Sequence, residues 1–387
     1  MSLLDTSTDP PHVAADRLLQ MIEARFGAGL AAARPATASG PTADPQGLRR
    51  AYLELLKLCL CDLAGTTTTS VARTIEGAVM SRELADAQLR FRAAGLDWPL
   101  HGLTMVGLTR LDDLQACVES VVADGIEGDV IEAGSWRGGA SMLMRATLNS
   151  LGDSDRTLWV ADSFQGFPST EATGQDGYDL DADLANCDFL AVPLEEVKAS
   201  FARLGLSENV NFLPGFFEDT LPRLPARRWA IARLDGDSYD ATRLGLEVLY
   251  GKVAEGGYVI IDDYLPLEDC RRAVDDFRSE NGITEPIEPI DWNGAKWRKA
   301  SAPDPLPSPP EPAPEDLGVP RLTERSIPRP SVRARVPATE EVALRHELQT
   351  LRAQLQAAER EIEALRGHPL RGPRAWAGSR LRRGGGA

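Results

Sequence analysis

The sequence predicts an α/β protein with a doubly wound, mostly parallel sheet, preceded by a helical region and followed by a proline-rich linker and a coiled coil. Three observations carry this. From Asp129 to Asn281, short continuous apolar runs alternate with amphipathic stretches, the pattern of strands covered on both faces by crossover helices. The first run, Asp129–Ala133, opens onto Gly134-Ser135-Trp136-Arg137-Gly138-Gly139-Ala140-Ser141, a glycine-punctuated turn that starts a helix. Later runs end on Asp162, Gly215, Asp235 and Asp262-Asp263, which puts polar groups at the carboxyl ends of the strands, where such sheets bind ligands.

Residues 1–46 are rich in Ala, Pro, Asp and Thr, with one helical patch near Val13–Phe26, and read as a loosely held extension. Leu53, Leu56, Leu60 and Leu63 then recur at three- and four-residue spacing, the apolar face of a helix beginning near Leu48. A second helix is expected over Ser81–Ala94, stopped by Asp97-Trp98-Pro99, and a third over Arg110–Ala123, led in by Thr104–Leu108. In the alternating region the strands are Asp129–Ala133, Thr157–Ala161, Asn209–Leu213, Trp229–Leu234 and Gly257–Ile261. Helices are expected at Ser141–Leu151, Tyr239–Lys252 and Leu267–Asn281, and short strands near Ile287–Ile290 and Ala295–Arg298 close the sheet.

The main domain therefore spans 47–299. Residues 300–338 form a linker dominated by Pro, Glu and Arg. Within 339–367, Leu344, Leu348, Leu351, Leu355, Ala358, Ile362 and Leu365 alternate at four and three residues. Glu347 with Arg352 and Glu361 with Arg366 fall at the g and e′ positions of a parallel dimeric coiled coil; a single amphipathic helix docked on the domain is the alternative. The tail 368–387 sets Arg371, Arg374, Arg380, Arg382 and Arg383 around Trp376, as an anionic-surface contact or as a solvated basic end.

A net charge of −16 argues against nucleic acid or an anionic membrane as the main partner. No apolar run approaches the ~18 residues of a membrane span, and Met1–Asp5 shows no signal-peptide pattern. The cysteines, Cys59, Cys61, Cys117, Cys187 and Cys270, are scattered and read as buried free thiols, which points to the cytoplasm.

Glu132, two positions before Gly134, selects the ligand of the first turn. A helix N-terminus alone suits pyrophosphate. Glu132 repels that anion and is placed to accept from the amino group or the sugar of S-adenosylmethionine. Asp162 lies 23 residues past Gly139, close to the ~20-residue offset at which a carboxylate meets a ribose diol; a helix N-cap is the alternative role. Asp235, Asp262 and Asp263 end neighbouring strands, and bare carboxylates at such a point drive one another to protonate unless a cation joins them. An oxygen-only donor set favours Mg2+ over Ca2+ or Mn2+; Asp237 and Asp263 as solvent-facing caps is the plainer reading. A methyl donor beside a metal describes O-methylation, because coordination acidifies an alcohol and a carboxylate takes its proton. Asp235 is the candidate for both metal ligand and base, with His101 the second candidate base. The acidic loop Asp176–Asp188 fails as an EF-hand, since Leu184 and Leu190 stand where Gly and Glu belong, and is expected to be a lid over the acceptor site.

The runs Thr104–Leu108, Ile131–Ala140, Ala161–Gly166, Phe212–Gly215, Arg233–Asp237 and Ile261–Tyr264 resemble, in order and from about Tyr52 to Lys299, the macrocin, mycinamicin and novobiocin sugar O-methyltransferases. The resemblance implies a class I, Rossmann-like methyltransferase fold, S-adenosylmethionine as donor and Mg2+-dependent methylation of a sugar hydroxyl. By position it makes Asp235, Asp262 and Asp263 the metal ligands, with Asp235 also the base. It assigns the cofactor site to Glu132, Gly134, Trp136, Arg137, Gly138, Gly139 and Ser141, to Asp162 and Ser163, and to Gly215 and Phe217, with Thr104 and Met105 closing over it. The loop Ser169–Pro193 gives no basis for naming the acceptor. The linker, coiled coil and tail stand outside the resemblance and suit an enzyme dimerised or tethered beside glycosyltransferases on a larger glycan. Rival expectations are a catechol-type O-methyltransferase and a non-catalytic scaffold. Hydride transfer is disfavoured, because Ser135 and Trp136 occupy the place where pyrophosphate needs close backbone approach.

Overall fold

The computed structural model describes residues 44–73, 79–167 and 188–300. The extension up to residue 43, the loop 176–187, the linker from 301, the heptads and the basic tail lie outside the described residues.

Helix α1 (Pro45–Leu60) opens the described chain. Asp44 caps it by accepting from the Gly47 amide at 2.7 Å, and Pro45 sits at the first position, where a missing N–H costs nothing. Leu53, Leu56 and Leu60 are buried as their spacing predicted; Leu63 lies past the helix end but packs on the same core.

The helix expected over Ser81–Ala94 does not form. Strands β1 (Thr69–Arg73), β2 (Val79–Glu83) and β3 (Trp98–Pro99) make a small antiparallel sheet in the order β2-β1-β3, and helix is confined to α2 (Leu89–Ala93) after a 3-10 turn. The β-branched run Thr66–Thr69 and Val71 supplies a pairing partner that outweighs the modest helical propensity of residues 81–88. Arg92, buried, joins these pieces by donating to Asp97, the Cys61 carbonyl and the Thr69 carbonyl.

Helix α3 (Leu108–Ala123) leads into the main sheet. Its strands are β4 (Asp129–Ala133), β5 (Leu158–Asp162), β6 (Val210–Pro214), β7 (Trp229–Leu234), β8 (Val253–Ile261), β9 (Glu288–Pro289) and β10 (Ala295–Arg298), in the order β6-β5-β4-β7-β8-β10-β9. β4 to β8 are parallel, and β10 runs antiparallel to both β8 and β9. The crossovers are α4 (Gly139–Leu151), α5 (Leu194–Arg203), the short α6 (Phe217–Thr220), α7 (Tyr239–Leu249) and α8 (Glu268–Glu280). Strand residues alternate between two apolar layers. Val130, Val160 and Phe212 face α1, α3, α4 and α5, whereas Ile131, Trp159 and Leu234 face α7 and α8. Of the described cysteines, Cys61, Cys117 and Cys270 are buried as expected, but Cys59 is exposed. Among the described residues no helix is long and apolar enough to cross a membrane.

Strand order reverses between β4 and β7, the point at which a crevice opens above the sheet. Register then lines up the polar ends. Ala133 pairs with Ala161 and Leu234, and Leu234 with Ile261, so Gly134, Asp162, Asp235 and Asp262 emerge in one row. Gly134 has φ +88°, and a Cβ there would lie 1.8 Å from the Asp235 carbonyl oxygen. Gly134→Ala is therefore expected to cost about 3 kcal/mol or more, against about 1 kcal/mol for Gly152→Ala, where φ is +76° but nothing lies within 4 Å. Urea unfolding of both variants checks this; equal losses would contradict it.

Candidate active site

A short strap crosses the first turn. The Gly139 amide donates to the Leu103 carbonyl at 2.9 Å, and a Cβ on Gly139 would sit 2.5 Å from that oxygen, so the backbones touch. Within the strap Thr104 is buried, its Oγ1 accepting from the Val106 amide at 3.1 Å, and Met105 is half-buried beside it. The end of α1 pins the strap: the Leu60 carbonyl accepts from Leu103, and the Cys61 thiol donates to the Val106 carbonyl. Arg137 locks the other side. Its Nη1 donates to the carbonyls of Pro99, Leu100 and Gly102, and the guanidinium lies over the rings of Trp136 (4.2 Å) and Phe189 (4.9 Å).

Two of the candidate cofactor residues also have partners within the protein. Asp162 Oδ2 accepts from the amides of Ser135 (2.7 Å) and Trp136 (2.9 Å), and Oδ1 from that of Phe164 (2.8 Å), so this carboxylate braces the turn. Ser163 turns the following loop by donating to the Gly166 carbonyl, and the Gly215 amide donates to the Asp162 carbonyl at 3.0 Å, setting Phe217 at the start of α6 nearby. Glu132 is only 1% exposed, with one oxygen taken by Arg233 and the other by Ser141. Together Glu132 and Ser141 anchor β4 to α4 from beneath the turn.

Arg233, 2% exposed on β7, joins the row of strand ends. It donates to Glu132 on β4, to Asp235 at 3.0 Å and to Asp262 beyond β8. Asp262 also accepts from Arg110 of α3, which holds Asp291 as well. Both Asp262 oxygens thus face arginines, beside the other strand-end carboxylates. Asp235 and Asp263 do converge, and the third member is Asp237: one oxygen from each lies within 4.8 Å of the others. Asp263 Oδ1 accepts from Asn293 at 3.0 Å, while its Oδ2 is buried with no hydrogen-bond partner. Three hard oxygen donors with one orphaned oxygen fit a divalent cation such as Mg2+. His101 is exposed and lines a cavity of about 300 Å3 with Leu103, Arg137, Val197 and Arg203; none of these carboxylates lines that cavity.

The sequence reading overlooked Arg233, Arg110 and Asn293. A charged residue inside the apolar run Trp229–Leu234 was the available signal for Arg233, since a buried guanidinium demands carboxylate partners. Arg110 and Asn293 come from distant segments and carry no local signal.

Residues 50–299 match the family model described as macrocin-O-methyltransferase (TylF). The chain belongs to this family. A tetracenomycin relative from Streptomyces olivaceus, 8-demethyl-8-(2,3-dimethoxy-alpha-L-rhamnosyl)-tetracenomycin-C 4'-O-methyltransferase, is 50% identical over 215 residues, 54% of this chain and 81% of its own. Mycinamicin III 3''-O-methyltransferase of Micromonospora griseorubida is 41% identical over 256 residues, 65% of this chain and 96% of its own. The solved structure of the O-methyltransferase NovP is 39% identical, aligns with 65% of this chain and 100% of that one, and has a TM-score of 0.57. The macrocin-family domain is thus an O-methyltransferase with the class I methyltransferase fold.

Charge in the cluster ties stability to pH. Burial and the neighbouring Asp237 and Asp262 push the Asp263 carboxyl up to about 8; burial and Asp262 push Asp235 well above the usual range. Burial alone would also raise Asp262, but Arg110 and Arg233 hold it below its ordinary value. Raised carboxyls stabilise the fold fully below the ordinary value of ~4 and lose that contribution as pH rises through about 8. In chelator the melting temperature should fall across this window, and Mg2+ should raise it more at pH ~9 than at pH ~6, since a cation competes with protons for these carboxylates. Scanning calorimetry checks this; an equal Mg2+ effect at both pH values would contradict it.

Proposed function

We propose that the chain transfers the methyl group of S-adenosylmethionine to a hydroxyl of a sugar borne on a glycoside or larger glycan, with Mg2+ at the acidic cluster. The observation that carries this is the meeting, on one sheet edge, of the strapped glycine turn and the Asp235, Asp237 and Asp263 carboxylates with their orphaned oxygen. The name of the tetracenomycin relative, which specifies a rhamnosyl group, favours a sugar over a catechol.

In this reading the donor lies against the backbone of Gly134, Trp136, Gly138 and Gly139, flanked by Ser163, Gly215 and Phe217, with Thr104 and Met105 over it. Arg137 and Asp162 hold that cradle in shape, and Glu132 and Ser141 support it from below. Asp235 and Asp263 would hold the cation. The geometry offers Asp237 as the third ligand, whereas the family resemblance offers Asp262. A bound divalent cation lowers the pKa of a hydroxyl and fixes its oxygen. Asp235 would take the hydroxyl proton, and the donor would supply an electrophilic methyl group whose bond to sulfur breaks, the pair going to sulfur, as its bond to the hydroxyl oxygen forms. The pairing of Asp235 with Arg233 keeps that carboxylate aimed without removing its second oxygen. The heptads at 339–367 would pair two such enzymes in the cytoplasm.

Methylation of a rhamnoside and of a catechol by the full chain, followed by mass spectrometry, tests the reading. The rhamnoside should gain one methyl group, Asp235→Asn should lower its turnover by about 10³-fold, and chelator should abolish it. Turnover of the catechol alone would overturn the sugar assignment.

A further inference from the structure

Three segments of the fold close on one side chain, Arg110, in the first turn of α3. It is 6% exposed. Its Nη1 donates to Asp262, and its Nε donates to Asp291 at 3.1 Å. The guanidinium carbon lies 5.8 Å from the centroid of the Trp292 ring, and Trp292 Nε1 donates to the Ala94 carbonyl at the end of α2 (2.7 Å). Two glycines make the fit possible. A Cβ on Gly95, where φ is +69°, would lie 2.8 Å from Arg110 Nη2, and one on Gly294 would lie 3.0 Å from its Cδ. The side chain is therefore held in one place from both sides.

Toward the donor, Arg110 is joined to the strap. Gly107 ends the strap and caps α3, three residues ahead of Arg110, and Leu103 at the other end touches the glycine turn through Gly139. Toward the acidic cluster, Arg110 acts twice. It holds Asp262 directly, and through Asp291 it sets the turn between β9 and β10. Asp291 Oδ1 accepts from the amides of Asn293 (2.8 Å) and Gly294 (2.9 Å). That turn aims the Asn293 side chain at the Asp262 carbonyl (2.9 Å) and at Asp263 Oδ1 (3.0 Å).

We infer that Arg110 is a positioning residue that couples the two halves of the site, so that donor and cation each bind more tightly once the other is bound. The inference rests on the donor and cation sites proposed above. Binding beneath the strap orders the first turn of α3 and so holds the guanidinium against Asp262 and Asp291. Binding at Asp235 and Asp263 orders the same link from its other end. The second ligand then has less left to order, and the gain is reciprocal. Lysine cannot replace Arg110, because a single ammonium lacks the planar fork that serves two carboxylates at once.

Isothermal titration of S-adenosylhomocysteine into the full chain, in chelator and in saturating Mg2+ at pH ~8.5, tests this on wild type, Arg110→Lys and Asp291→Asn. This probe lacks the sulfonium charge, so direct repulsion of the cation does not enter. In wild type, Mg2+ should tighten its binding by at least about fivefold. Arg110→Lys should bring that ratio to about one even where each separate affinity falls. A merely structural loss would weaken each ligand and leave the ratio intact. Asp291→Asn keeps both arginines on Asp262 but has a single oxygen to share between Arg110 and the turn amides, so it should lower the ratio as well. It carries the test if Arg110→Lys fails to fold in a thermal melt. A ratio of about one in wild type that binds each ligand, or an unchanged ratio in the folded variants, overturns the inference. Wild type that fails to bind either the nucleoside or Mg2+ overturns the proposed function, and the inference with it.

Discussion

A guanidinium buried between carboxylates of three adjacent strand ends is the constraint on which the rest depends. Arg233 has no access to water, so Glu132, Asp235 and Asp262 must all stand within its reach. Removing one partner of such a buried set costs about 3–5 kcal/mol, because the remaining charge is left uncompensated. The requirement fixes β4, β7 and β8 in register at their carboxyl ends. It extends through Ser141 to α4 and through Arg110 to α3 and Asp291, so the elements around the crevice are held by one connected network.

The same network accounts for the reactivity of the cluster beside it. Asp262 is fully matched by two arginines and stays ionised. Asp235 shares one arginine nitrogen, and Asp263 has an amide on one oxygen and, with both carboxyls ionised, no donor on the other. Carboxylates left in that condition in a dry site repel one another, and a divalent cation is the simplest species that satisfies them all. Across the crevice, the turn from Gly134 to Gly139 is shaped by Asp162, Arg137 and the strap rather than by its glycines alone. Donor side and acid side are thus rigid for different reasons, one through backbone contact and one through charge.

Much of this was legible beforehand. The five parallel strands were readable because each is buried on both faces and therefore continuously apolar, and the family runs fell at their ends. The convergence of Asp235 and Asp263 was legible because they follow neighbouring strands. Residues 69–99 were misjudged, since strand pairing between Thr69–Arg73 and Val79–Glu83 is a non-local choice that helical spacing does not reveal. The internal partners of Glu132, Asp162 and Asp262 were not legible: they are Arg233, Arg110 and the Ser135 and Trp136 amides, and no spacing rule encodes those positions.

The most direct test of the claim that Asp235 and Asp263 hold a divalent cation is isothermal titration of Mg2+ into the full chain and its Asp263→Asn variant at pH ~8.5, above the raised carboxyl. Wild type should bind one ion per chain, and the variant should lose at least about 100-fold in affinity. Absence of binding in wild type, or equal affinity in the two proteins, would contradict it.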